Sequence, residues 1–570
     1  IILRYRIGLL VGIVAATTVL GVLGIPHVEM SQEFLKVVPP EDDDMQAYQA
    51  FRQRFGADDN VVIIVLEGDN WFRAARLQAL WRLTAQLQAL PGVTRVFNLT
   101  TAPDLVFDAQ DERFIMAQAF RGPPATDSAA LAMQTWLHNR PVYRNVLMDT
   151  TGTALVTAVS LDAAFLETKA KHPMMRDLLR LVQTFSEAQG VQPHFAGVPH
   201  LRTYMARTLP RELALFMGLS VLLTAIALFG FYRSWYAVIF PLVLLVLSSV
   251  VTLSLFGLLD YKLTMLTAML PPIIIILGIP PSIYMLSDYH EEYKHTGDKI
   301  EALRRMVRKL GLVTLMINAN TAFGFLTLYL TSVVLLQQFG LIAFLGTMIA
   351  YCITIVLIPG VFSLLPPPSE KKLSHLEAPL FNRALDRTET WVQQHRRFIY
   401  LGAFVVTTGA VVGMTQLRAV SFMVDDLPRQ DAIYTDLRFI EDRFGGAMPF
   451  ELALDFGKAG AVRKPRNLRR IEALQQWLET HPEVSRTLSV ADVMKWTRQA
   501  MLGGGAETYA LPAKEELDFI ARYGQRSRMN MGGRGGMTLL VDSTYRYARI
   551  TGYVRDIGSV RMPVLMGEIE

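Results

Sequence analysis

Long runs without a charged side chain dominate the chain: residues 213–232, 235–259, 263–287 and 310–369 contain no Asp, Glu, Lys or Arg. A membrane-crossing helix needs about 20 apolar residues, so the first three runs predict one helix each and the fourth predicts two, broken near 331–338. Two further runs, 7–25 and 398–417, follow Arg4 and Arg6 in one case and Arg396 and Arg397 in the other. Seven spans result. Between them the apolar spacing shortens. Tyr48, Phe51 and Phe55 recur at helical spacing, 61–66 is a β-branched strand, and Leu77, Leu80, Leu83, Leu87 and Leu90 form a helix stripe stopped by Pro91 and Gly92. Residues 94–99 and 154–161 read as strands and 175–185 as a helix, an alternation that predicts layered α/β subdomains.

The chain repeats itself about 390 positions further on, and matching order at a fixed offset marks an internal duplication. Pro39 precedes Arg54, Phe55 and Gly56 by the interval that separates Pro428 from Arg443, Phe444 and Gly445. Pro91, Val93 and Arg95 recur as Pro482, Val484 and Arg486. The second copy predicts elements at 440–444, 450–456, 468–478, 485–490 and 548–554, with Gly-rich, mobile loops at 503–505 and 531–537. The fold class expected is therefore a multi-pass α-helical membrane protein carrying two duplicated α/β extramembrane domains. Its divisions are a first span to residue 26, an outer domain at 27–212, a helix bundle at 213–365, a linker at 366–397, a seventh span at 398–417 and a second outer domain at 418–570.

Basic residues set the orientation. Arg233, then Lys294, Lys299, Arg304, Arg305, Arg308 and Lys309, then Lys371 and Lys372 all fall in loops on one side, predicted as cytoplasmic. Both large domains then face the other side, the periplasm of a double-membrane bacterium, and the protein is expected in the inner membrane. The net charge of +5 resides largely in those loops, which suits anionic lipid heads and argues against nucleic acid. The single cysteine, Cys352, lies in the sixth span and forms no internal disulfide. Ile1 falls inside a basic flank and Glu570 inside the second domain, so a longer protein with a second helical bundle is expected. An apolar face of Leu380, Phe381, Ala384, Leu385, Trp391 and Val392 predicts an amphipathic helix on the cytoplasmic membrane surface.

No grouping of residues suggests catalysis, a metal or a cofactor. The acidic run at 41–44 lacks the spaced oxygens of a calcium loop and suits a helix start, where the dipole favours carboxylates. His27, His194 and His200 have no partner at metal-ligand spacing and read as surface or packing residues.

One stretch is more specific. Asn320-Thr321-Ala322-Phe323-Gly324-Phe325, followed by Phe339-Gly340 and Pro359, resembles the fifth and sixth helices of the resistance-nodulation-division (RND) superfamily, in the branch of mycobacterial large membrane proteins (MMPL) and hopanoid or lipid exporters. Phe231, Arg233, Ser234 and Pro241, and Gly197-Val198-Pro199, resemble other segments of that family. Spans two to six are also similar to a sterol-sensing domain. The resemblance implies ferredoxin-like, porter-type outer domains, export of a lipid or hydrophobic small molecule, and proton coupling through an Asp midway along the fourth span. A carboxyl at that depth costs about 2.5–3.5 kcal/mol to insert, so it is kept for titration.

Here the chain departs from the pattern. In Gly278-Ile279-Pro280-Pro281-Ser282-Ile283-Tyr284 the relatives' Asp is replaced by Pro281, which cannot titrate and which removes a helical N–H donor. The remaining polar groups at this depth, Ser282, Tyr284, Asn318, Asn320 and Thr321, with Asp288 two turns on, are the transport or relay candidates. Asn318 and Asn320 are expected to share a polar seam facing the fourth span, or to hold the helices together by hydrogen bonds. Asp288, beside His290, Glu291 and Glu292, reads better as an interfacial charge. Gly278, Gly324, Phe325, Phe339, Gly340 and Pro359 are structural motif positions. Pro271-Pro272 and Pro280-Pro281 read as two kinks in one helix. The expected function is a proton-driven exporter with membrane lipids and lipid cargo as partners, a periplasmic partner protein and a homo-oligomer both being open. The alternative is a non-transporting lipid sensor or accessory protein.

Overall fold

A computed structural model describes residues 3–28, 42–56, 60–168, 170–232, 234–264, 266–367, 379–417, 420, 422, 429–526 and 539–569. The chain forms two compact units, Ile1–Met45 with Tyr204–Leu417, and Gln46–Thr203 with Arg418–Glu570.

Helix α1 (Arg6–Gly24) is followed by the first lobe: α2 (Asp43–Phe55), β1 (Val61–Glu67), α3 (Ala74–Gln88), β2 (Val93–Phe97), β3 (Pro103–Asp108), β4 (Arg113–Gln118), α4 (Asp127–His138), β5 (Ala154–Leu161), α5 (Ala163–Leu166), α6 (Lys171–Gln189) and β6 (Gln192–Ala196). Four strands pair in the order β2-β5-β1-β6, every neighbour antiparallel. With α3 and α6 as crossovers this is the ferredoxin-like split βαβ arrangement. The β3–β4 hairpin and α4 are inserted between its second and third strands. Alternation along β1 and β5 sends Val62, Ile64, Leu66, Leu155 and Val159 to one face, where Leu77, Leu80, Leu178 and Val182 of the two helices complete a core.

Among the described residues, seven helices are long and apolar enough to cross a membrane. After α1 come α7 (Val198–Tyr232), α8 (Trp235–Leu258), α9 (Leu270–Leu277), α10 (Ile279–Thr296), α11 (Lys299–Leu326), α12 (Val334–Leu364), α13 (Pro379–Gln394) and α14 (Arg396–Thr415). Segments α9 and α10 together make one span, and α13 is not among the seven. Close helix approach needs small residues. A Cβ on Gly24 of α1 would stand 2.3 Å from the Ser254 carbonyl oxygen of α8, and one on Gly257 would stand 2.0 Å from the Gly24 carbonyl oxygen. The motif glycine Gly340 has the same role, since its Cβ would lie 2.6 Å from the Phe325 carbonyl oxygen. Phe325 and Phe339 meet edge-on with centroids 6.1 Å apart. Gly324 has open space around it, and Pro359 is buried inside α12. In α13, Trp391 and Val392 are exposed; the side chains of Leu380, Phe381, Ala384 and Leu385 lie outside the described residues.

The second lobe comprises α15 (Ala432–Phe444), β7 (Met448–Asp455), α16 (Pro465–Glu479), β8 (Leu488–Ser489), α17 (Val490–Met501), α18 (Lys514–Arg526), β9 (Tyr547–Val554) and α19 (Gly558–Ile569). Its sheet order, β7-β9-β8, with antiparallel pairs, reproduces β1-β5-β2 strand for strand. The strand expected at 485–490 is only two residues long. Ser489 caps α17 instead, its hydroxyl accepting from the Ala491 amide while Asp492 accepts from the Ser489 amide, so the chain turns helical at Val490. Residues 503–505 form an ordered docking loop, not a mobile one: Gly504 accepts from Arg140 at 2.8 Å. The other Gly-rich segment, 531–537, lies outside the described residues.

The repeated Arg-Phe-Gly has a common structural meaning. Gly56 (φ +90°) and Gly445 (φ +85°) adopt the left-handed conformation that ends α2 and α15, and their amides bond back to Arg52 and Glu441. Phe55 and Phe444 are buried. The arginines cross to the opposite lobe, Arg54 over the Tyr547 ring of β9 at 4.2 Å and Arg443 onto Glu67 at 3.2 Å and Asp149 at 3.4 Å. Burial pushes the Asp149 carboxyl up, but the Thr151 hydroxyl, the Ala154 and Thr153 amides and Arg443 outweigh it and hold it below the usual carboxylate range. Helix α15 also lays Ile440 and Phe444 against Val65, Ala154 and Ala196, on the sheet face that α3 and α6 leave uncovered. The second repeat thus lends its first helix to the sheet of the first, and α2 in turn meets β9 of the second, with Arg549 over the Phe51 ring at 5.3 Å beside the Arg54–Tyr547 contact. A second junction packs Trp496 and Ile520 with Leu105, Phe114 and Tyr143, beside an Asp104–Arg140 pair at 2.8 Å.

Candidate functional site

The α9–α10 region holds the position where the resemblance implies a carboxyl. Both Pro-Pro pairs sit in the first turn of a helical segment, where no intrahelical N–H is required and the fixed φ of proline is already helical. They therefore begin two abutting segments; they do not kink the interior of one. Gly278 links the segments with φ −77° and ψ −9°, and a Cβ there would stand 2.1 Å from the Leu245 side chain of α8. Proline at 280 and 281 withholds donors from the carbonyls one turn back. Ser282, fully buried, turns its hydroxyl to the Gly278 carbonyl at 2.9 Å.

The other candidates do not gather around Pro281. Tyr284 is half exposed on the outward side of α10. On α11, Asn318 is buried and donates to the Thr314 carbonyl of its own helix at 2.8 Å, and Thr321 donates to Ile317 at 3.1 Å. Asn320 is exposed, because two residues along a helix is more than half a turn and places it away from Asn318. No shared seam of the two asparagines is formed.

Asp288 is the exception. Its side chain is 8% exposed, and Oδ1 lies 2.5 Å from Nζ of Lys309 on α11. Oδ2 is buried without a hydrogen-bond partner among the described residues. Asp288 shares a face with Pro281, Ser282, Met285 and Tyr289, all buried. Nearby, the Tyr232 hydroxyl at the end of α7 donates to the Ile283 carbonyl at 2.8 Å and lies 2.9 Å from the Ser287 hydroxyl. Asp288 is thus a buried, half-satisfied carboxylate in an interhelical ion pair with a lysine that remains half exposed. In the sequence Lys309 reads only as part of a basic flank, and Tyr232 carries no signal of its own. The usable signal was that Asp288 and Lys309 stand at similar distances either side of the Gly297–Asp298 turn, which pairs them in an antiparallel helical hairpin. Among the described residues no three His, Cys, Asp or Glu side chains are placed to hold a metal ion. An open, mainly apolar groove of about 390 Å³ runs between α1 and α8, lined by Thr17, Thr18, Gly21, Val22, Leu247 and Val250 among others.

Two curated sequences are similar over parts of the chain. A protein of Methanocaldococcus jannaschii, named as a membrane protein, is 26% identical over 184 residues, covering 32% of this chain and 47% of its own length. The hopanoid transporter HpnN of Rhodopseudomonas palustris is 28% identical over 218 residues, 38% of this chain and 23% of HpnN. The chain thus spans less than half the length of either relative. The MMPL family profile matches residues 36–398, which takes in the first lobe, the helices α7 to α12 and the segment after them. With that match over more than half of its length, the chain belongs to the MMPL family.

Proposed function

We propose that this chain belongs to an RND-type exporter of the inner membrane that moves a lipid or another hydrophobic molecule, with both lobes on the periplasmic side. The observation that carries the reading is the two-repeat construction: seven apolar helices, and two matching lobes that exchange their first helices within one compact unit. The lipid nature of the cargo is supported by the family and by the name of one relative, HpnN. The proton gradient is the proposed energy source. Pro281 takes no part in it, so within this chain the proposed relay group is Asp288, a choice supported by its burial and its ion pair with Lys309 at 2.5 Å between α10 and α11. Protonating the carboxylate would release the lysine, a local charge change of the kind that shifts a packed helix pair.

Pro281 also favours a second reading, a lipid-binding sensor or accessory protein that transports nothing. Proteoliposomes containing the full-length protein and a hopanoid distinguish the two. For the exporter, hopanoid movement that stops when a protonophore collapses an imposed proton gradient is expected, with at least a tenfold loss in Asp288→Asn. Hopanoid binding without movement under any gradient would replace the exporter with the sensor.

A further inference from the structure

His194 lies at the centre of the contact between the repeats. It is on β6, and its ring is 9% exposed. Helix α15 of the second lobe supplies two of its contacts. Nδ1 is 2.8 Å from Asp436 Oδ1, and the ring stacks on Phe439 with centroids 3.8 Å apart and planes 14° from parallel. Asp436 Oδ2 accepts from the Phe195 amide at 3.0 Å, so one carboxylate grips both the backbone and the side chain of β6. The opposite ring nitrogen, Nε2, points at Glu67 of β1, 3.6 Å from Oε2, and is buried with no hydrogen-bond partner among the described residues.

That arrangement is incomplete for a neutral ring. Nδ1–H satisfies Asp436, which leaves Nε2 as an acceptor lone pair facing a carboxylate, two acceptors with no proton between them. A second proton completes it. The imidazolium donates from both nitrogens, adding a charge-assisted contact to Glu67 while keeping the one to Asp436. We propose that His194 is a proton-operated clamp between the two repeats, tightening the hold of β6 on α15 as the surroundings acidify.

The other charges around the site set the limits. Glu67 already receives Arg443 of α15 at 3.2 Å on Oε1, and Arg443 continues to Asp149 at 3.4 Å. His200, buried at the start of α7 and stacked on Phe195 at 5.3 Å, also lies within reach of the Asp436 charge, so its contribution must be separated. The direction follows from the contacts: the closed junction sets a carboxylate oxygen against each ring nitrogen, Asp436 at 2.8 Å and Glu67 at 3.6 Å, and only a ring carrying both protons donates to both, so acid favours the closed form. The clamp needs neither cargo nor transport, and it stands whether the protein exports or senses.

Amide hydrogen exchange on the full-length protein in detergent micelles tests it, with rates corrected for the intrinsic pH dependence of exchange. The Phe195 amide and the amides of α15 report opening of the junction. Between about pH 7.5 and about pH 5.5, their protection is expected to rise about tenfold in the wild type. In His194→Gln, which keeps a neutral hydrogen bond to Asp436, it should stay flat, and in Glu67→Gln the rise should shrink at least threefold. His200→Gln should retain it. Flat or falling protection in the wild type, or a rise that persists in His194→Gln or disappears in His200→Gln, overturns the clamp.

Discussion

Single residues act here through what their side chains exclude as much as through what they add. Gly24 and Gly257 let two helix backbones touch, and any Cβ at either place meets backbone, which cannot step aside. Gly24→Ala is expected to destabilise the helix bundle by about 1–3 kcal/mol, the usual cost of overpacking. Gly8, on the same helix, has nothing within 4 Å, so Gly8→Ala should leave the thermal midpoint in detergent unchanged or slightly raised. Equal midpoints for the two variants would remove the close-approach argument. Pro281 was legible in the sequence as a site that cannot titrate. The burial of Asp288 was less legible: its charged sequence neighbours mask a helical phase that, from Pro281 through Met285, puts it on the buried side.

At the scale of elements, the legible pieces were those with a strong period. The β1, β5 and β9 strands and the Leu-rich stripe of α3 all lie where alternation or helical spacing predicted them, within one to three residues. The insertion β3–β4–α4 and the α17–α18 pair were missed, because the apolar residues of these short segments face one another across the lobes and only there complete a core. Trp496 of α17 shows the consequence: it is 7% exposed and meets Tyr143 edge-on at 5.8 Å. Trp496→Ala should cost about 3–5 kcal/mol. It should also make the β3–β4 hairpin the first site of protease cleavage in the native protein. If the hairpin stays resistant, the packing of Trp496 does not hold it in place.

For the whole molecule, duplication produced mutual dependence between the lobes. The equivalent arginines Arg54 and Arg443 each reach across, so damage should appear in the lobe that was not mutated. Arg443→Ala is expected to speed amide exchange in β1 and around Asp149 of the first lobe, and Arg54→Ala to speed it in β9 of the second, each by about threefold to tenfold. Acceleration confined to the mutated helix would mean that the crossing contacts carry no stability. Both lobes would then behave as independent bodies joined only by proximity.

By itself the sequence determined the membrane class, the seven apolar spans, the duplication and the α/β nature of the lobes. All of these rest on local periodicity, on charge-free length or on matched spacing, which a chain displays before it folds. Only the tertiary structure decided that the first helices are exchanged, that Asp288 meets Lys309, and that His194 sits between carboxylates from β1 and α15. Such contacts join residues tens to hundreds of positions apart. Their energy depends on burial and on atom-scale distance, and neither has a signature in the order of residues alone.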